Sequence, residues 1–113
     1  MPRPIRKRCI NYWPKTNYFK PRGIPMTNLE EVKLSGDELE AIRLKDLLGL
    51  EQIQVAKKMN ISRPTIVRIL QSARKKIADS LVNSKAINIF QGHNIIFKKN
   101  FKYKKDVVES FKK

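Results

Sequence analysis

The chain has 113 residues and carries 25 Lys and Arg against 10 Asp and Glu, a net charge of +15. That length allows one domain with a modest core plus arms, and no apolar run approaches the roughly 20 residues of a membrane-spanning helix. A single cysteine, Cys9, excludes an intramolecular disulfide and a cysteine-based zinc site.

The lone thiol fits a reducing compartment, and the basic start (Met-Pro-Arg-Pro-Ile-Arg-Lys-Arg) leads into no apolar stretch, so a cytoplasmic protein is expected. The charge is uneven. Residues 1–35 hold 8 basic and 2 acidic side chains, residues 36–60 hold 4 and 5, residues 61–90 hold 6 and 1, and residues 91–113 hold 7 and 2. The near-neutral block is the expected scaffold, and the positive blocks are the expected contacts to a polyanion.

Three regions are expected: a Pro-rich basic arm (1–34), a helical domain (35–83) and a basic extension (84–113). Pro2, Pro4, Pro14, Pro21 and Pro25 forbid a long helix in the arm. Its Tyr12, Trp13, Tyr18 and Phe19 predict an ordered, irregular segment lying on the helical core. Val32 and Leu34 alternate with Glu31 and Lys33, as in a short strand. Ser35-Gly-Asp-Glu38 fits a capping box opening a first helix, whose apolar stripe is Leu39, Ile42 and Leu47, widened by Leu44 and Leu48. Gly49 suits its left-handed end. A second helix is expected from about Glu51 to Met59. Asn60 occupies a tight turn, and Ser62 caps a third helix with Pro64 in its first turn. That helix runs to about Val82. Ala86–Phe90 and Ile95–Phe97 read as short strands, and Asp106–Lys113 as a frayed helix.

Residues 52–73 carry the most information. Two helices crossing through a three-residue turn need a small residue at the contact, which Ala56 supplies. They also need inward apolar groups beside the turn, which Val55, Met59 and Ile61 supply. Ile66, Ile69, Leu70, Ala73, Ile77 and Leu81 fall within an arc of about 120° on the third helix. This is the pattern of a helix-turn-helix, in which the second helix of the pair enters the DNA major groove.

The opposite face carries the chemistry. Pro64, Val67, Arg68, Gln71 and Lys75 cluster there, with Ser62 and Arg63 at its start. Arg68 has the fork for guanine, Gln71 the amide for adenine, and Val67 a surface for a thymine methyl. Arg74, Lys75 and Lys76 lie further along and suit the phosphate backbone. Gln52, at the start of the supporting helix, suits a phosphate beside that helix's positive end. Arg3, Arg6, Lys7 and Arg8 form an accessory basic arm suited to a minor groove, and the lysines of 98–105 suit non-specific affinity.

Several stretches also resemble a known family: Met-Pro-Arg-Pro with the basic run to Cys9, Tyr18-Phe-Lys-Pro-Arg-Gly-Ile-Pro25, Leu29-Glu-Glu-Val32 and Asp37-Glu-Leu-Glu-Ala-Ile-Arg-Leu44. Ile61-Ser-Arg63, Arg68-Ile-Leu-Gln-Ser-Ala-Arg-Lys-Lys76 and Leu81-Val-Asn-Ser-Lys-Ala86 continue the likeness, which covers roughly residues 1–90. The family consists of small uncharacterised prokaryotic proteins predicted to bind DNA. The resemblance implies a helix-turn-helix similar to region 4 of bacterial sigma factors. Asn60 stands where those proteins often have Gly.

Other constellations are weak. His93 has no second ligand for a metal, and Glu38 and Glu40 point different ways on one helix. No nucleophile elbow or phosphate-binding glycine loop occurs. The expectation is a mainly α protein with a three-helix core. It should bind double-stranded DNA as a transcriptional regulator, without metal, cofactor or enzymatic activity. Dimerisation on two half-sites, through the outer face of the first helix or the Ile87–Phe90 strand, and contact with the transcription machinery are further expectations. The competing readings are an RNA- or ribosome-associated basic protein and a protein-interaction adaptor.

Overall fold

The computed structural model describes residues 7–92 and 95–97. Its elements in chain order are β1 (Arg8–Ile10), β2 (Tyr18–Phe19), β3 (Glu31–Ser35), α1 (Gly36–Ile42), α2 (Gln52–Met59), α3 (Arg63–Asn83), β4 (Ala86–Phe90) and β5 (Ile95–Phe97). A 3₁₀ turn occupies Met26–Asn28, and a π-helical turn, Arg43–Leu47, continues α1.

The helices form where the sequence places their signals. Glu38 reaches back from the first turn of α1 to accept the Ser35 backbone N–H (2.9 Å), as a capping box requires. Gln54 does the same for the N–H of Glu51 ahead of α2 (3.0 Å). Ser62 Oγ accepts the Thr65 N–H (3.3 Å) and caps α3, with Pro64 in the first turn. Asn60 ends α2 in the left-handed region (φ 58°), a conformation Asn tolerates better than most residues.

The mainly α expectation does not hold: the fold is mixed α/β. β4 lies at the centre of a three-stranded sheet, antiparallel to β2 and parallel to β3, with Leu34 opposite Ile89. A second pairing joins β1 to β5 in parallel, with Arg8 opposite Ile95. The surplus strands come from the Pro-rich segment. β1 and β2, of 3 and 2 residues, are too short to show an alternating pattern, and Pro14 and Pro21 flank them instead of interrupting them. Prolines that forbid a helix therefore leave room for strands.

Two apolar clusters share α3 as their common wall. The first joins Ala41, Leu44, Val55, Ala56, Met59, Ile61, Ile66, Ile69 and Leu70. The second joins Ile10, Trp13, Leu34, Ala73, Ile89 and Ile95, and Ile42 packs against both. Each fully buried large apolar side chain contributes about 1.5–3 kcal/mol. Backbone approach in the second cluster is close. A Cβ on Gly36 would lie 2.9 Å from Ile95 Cδ1 and 3.0 Å from the Gln91 carbonyl oxygen.

Three expected core positions face solvent. The π turn bonds the Leu48 N–H to the Arg43 carbonyl (2.9 Å), one residue further than an α-helix would. The extra residue turns the stripe, so Leu44 is buried while Leu47 is 77% and Leu48 55% exposed. On α3 the buried stripe fades at Ile77, and Leu81 lies outside. Among the arm aromatics, Trp13 is buried, whereas Tyr12 lies at the surface with Arg43 5.3 Å from its ring centroid.

Trp13→Ala is expected to lower unfolding stability by about 3–5 kcal/mol, the usual cost of emptying a buried Trp site. Urea denaturation checks this; an unchanged midpoint would mean that the segment before β2 merely decorates the helices.

Candidate nucleic-acid interface

The candidate interface is built on the α2–α3 pair. Ala56 and Met59 on α2 pack with Ile61 and Ile66, and the Ile61 N–H donates to the Ala56 carbonyl (3.0 Å), closing the turn between the helices. A side-chain bond ties the two helix starts together: Arg63 Nε donates to Gln52 Oε1 at 3.2 Å. The mutual angle of the helices is thus fixed by apolar packing inside and by a polar tie outside.

The sequence-predicted residues divide into two groups. Ser62, Arg63, Pro64, Arg68, Gln71, Arg74 and Lys75 are exposed, and Gln52, Val67 and Lys76 are half-buried. Arg68 and Gln71 have no hydrogen-bond or ion-pair partner among the described residues, so both side chains are available to a ligand. Arg74 and Lys76 are already engaged. Arg74 grips Asp46 with two donors, Nη2 to Oδ1 at 2.7 Å and Nε to Oδ2 at 3.1 Å. Lys76 Nζ lies 2.8 Å from Glu38 Oε1. Both carboxylates come from the α1 region, so the rear of the predicted contact face is stitched to the scaffold.

Glu38 is the hub. It is buried, and it accepts from Ser35 N, Ser35 Oγ, Ser72 Oγ (2.5 Å) and Lys76 Nζ. Burial pushes its carboxyl up, but the Lys76 ammonium, the Ser35 amide and the Ser72 hydroxyl outweigh that and hold it below its ordinary value. Asp46 is also held low, chiefly by Arg74, and Arg74 is correspondingly raised. Being at the surface, that pair adds little stability.

Of the accessory arm, Lys7 is exposed, while Arg8 lies half-buried in β1 with Nε 3.4 Å from Asp37 Oδ2. Arg3, Arg6, His93 and the 98–105 lysines lie outside the described residues. Sequence reasoning missed the roles of Asp46 and Glu38 toward α3. They stand 28 and 38 positions from their partners, and the available hint was the near-neutral 36–60 block, with five of the ten acidic residues, ahead of a basic one. Among the described residues no cluster of His, Cys, Asp or Glu could hold a metal ion, and no helix is long and apolar enough to cross a membrane.

The chain is thus a small mixed α/β protein that presents a cation-rich helix from a two-helix corner. It belongs to the family described as protein of unknown function DUF134, whose model matches residues 1–98. It is 60% identical to a UPF0251 protein of Dehalococcoides mccartyi, over 81% of this chain and 79% of that relative. It is 56% identical to a UPF0251 protein of Caldanaerobacter subterraneus, over 86% and 82% of the two chains. A UPF0251 protein of Moorella thermoacetica is also 56% identical, over 82% of this chain and 62% of that one. No solved structure matches the chain.

Glu38→Gln is expected to lower stability at neutral pH by about 1–3 kcal/mol, because Lys76 and Ser72 lose a charged acceptor. The folded-state pKa of Glu38 lies below its unfolded value, so its stabilisation is present above that value and is lost as pH falls through the folded one. Thermal melts between about pH 6 and 3 should therefore show a shallower acid loss in the variant than in the native chain. Parallel curves would remove Glu38 from this role.

Proposed function

We propose that the protein binds double-stranded DNA sequence-specifically and acts as a transcriptional regulator, with α2–α3 serving as a helix-turn-helix and the first turns of α3 in the major groove. One observation carries the reading: Arg68 and Gln71 stand exposed and unpartnered on a helix whose start is fixed by the Asn60 turn and the Gln52–Arg63 bond. Guanidinium and amide groups are the side chains that read guanine and adenine edges. The net charge of +15 supplies the sequence-independent attraction to phosphate.

The engaged cations fit a graded role. Lys75 has no carboxylate within ion-pair distance among the described residues and suits a phosphate directly. Arg74 and Lys76 would have to share their charge between a carboxylate and a phosphate, so they add field more than contact. In this reading Arg63, beside Gln52 at the helix starts, meets the backbone where two helix N-termini converge. Such a protein works in the cytoplasm, on DNA and alongside the transcription machinery.

Selection from random duplexes should enrich a motif with the native protein, and Arg68→Ala with Gln71→Ala should abolish it, at a cost of at least about tenfold in affinity for the selected site. Lys75→Ala should weaken all duplexes alike and reduce the salt slope by about 1. Enrichment of no motif, together with equal affinity for RNA, would overturn the reading.

A further inference from the structure

Exposed large apolar side chains gather in two places. Leu47, Leu48 and Ile53 surround the loop between the π turn and α2, where Lys45, Lys57 and Lys58 lie on the same elements. The second group is at the far end of α3: Leu81 is 75% exposed, Val82 79%, and Phe19 of β2 53%. Phe19 and Leu81 border a groove of about 310 Å³ between β2 and the end of α3.

Charge distinguishes the two. Residues 77–84 contain no Lys or Arg, against five in residues 63–76 of the same helix. Among the described residues, the cations that line the groove are occupied internally. Lys20 Nζ donates to the carbonyls of Ile24 (2.6 Å) and Pro21 (3.3 Å), and Lys85 pairs with Asp79 (3.0 Å) and Glu30 (3.4 Å). A chain of net charge +15 repels another copy over most of its surface, so self-association requires an apolar area poor in free cations. The Leu81 end of α3 meets that requirement, and the Leu47 loop does not. A polyanion, conversely, has little to hold at the Leu81 end.

We propose that the patch formed by Phe19, Leu81 and Val82 is the contact between two copies of this chain, related by a two-fold axis, with Leu81 and Val82 of one packed on Phe19 of the other. Its purpose rests on the DNA reading. Ile66 and Leu81 are 15 positions apart, which is about 22 Å along an α-helix. Two such arms meeting near Leu81 can set their reading turns up to about 45 Å apart, a reach that includes the roughly 34–36 Å between half-sites one DNA turn apart. The joint therefore lies where neither arm obstructs Arg68 or Gln71. Of the two surfaces that the sequence suggested for dimerisation, this one is apart from the α1 face and meets the Ile87–Phe90 strand at Ile87, which pairs with Phe19 and lines the groove.

The test is sedimentation of the full chain from about 1 to 100 µM, with and without a duplex carrying two half-sites. The native protein should reach about twice its 13.2 kDa mass. The variant Leu81→Gln with Val82→Gln, whose native side chains are already exposed, should keep its circular dichroism and remain a monomer. On the duplex it should protect one half-site where the native protein protects two. A native chain that stays monomeric both free and on DNA would overturn the proposal, as would a dimer that the double substitution leaves intact. The two readings separate cleanly. A monomer that still selects a DNA motif removes the interface alone, and a dimer broken by the double substitution that selects none removes the DNA reading alone.

Discussion

A carboxylate taken out of water must be met by donors, and in this fold the donors of Glu38 come from two separate stretches of chain. Ser35 closes β3, Ser72 and Lys76 belong to α3, and Glu38 itself opens α1. Meeting the demand of one charge therefore fixes where the sheet ends, where α1 begins, and how α3 crosses both. Arg8 with Asp37, and Arg43 with Glu40, repeat the solution on neighbouring residues. The first turns of α1 are consequently an acidic bracket that holds basic elements in place. Apolar packing supplies most of the stabilisation, but it is non-directional; the bracket sets the orientation.

Along its 21 residues α3 passes through three environments. Its first turns leave Arg68 and Gln71 free, its middle is tied to Asp46 and Glu38, and its last turns are apolar and open. One helix can thus present a ligand-facing end, a structural middle and an end for a further contact, because successive turns meet different neighbours. The core wall runs through the first two environments and fades near Ile77.

The helices and their ends were legible because their determinants are local: the Ser35 and Ser62 caps, the Asn60 turn and the apolar stripe at 3.6-residue spacing all lie within a few positions of what they control. β3, β4 and β5 were legible in outline. β1 and β2 were not, since two or three residues carry no period and their strand character comes from partners far along the chain. Leu47 and Leu48 were misplaced because a single π turn rotates everything after it, and no residue type marks that turn. At the candidate interface, the exposed positions of α3 followed from periodicity. The capture of Arg74 and Lys76 by carboxylates depends on tertiary approach, which spacing does not reveal.

The parallel pairing of β1 with β5 has a consequence for how the molecule comes into being. Ile10 and Trp13 leave the ribosome early, yet the strand that completes their cluster ends at Phe97. At about 5–20 residues per second, the intervening 87 positions take roughly 4–17 s to synthesise. The Ala41–Leu70 cluster is contiguous in sequence and can assemble during that interval, whereas the second cluster must wait. Each nascent chain thus spends seconds with the cluster around Ile10 and Trp13 incomplete beside the helical one. A translational stop ahead of β5 would leave that cluster without Ile95 and β1 without its partner, making β5 the step that completes it.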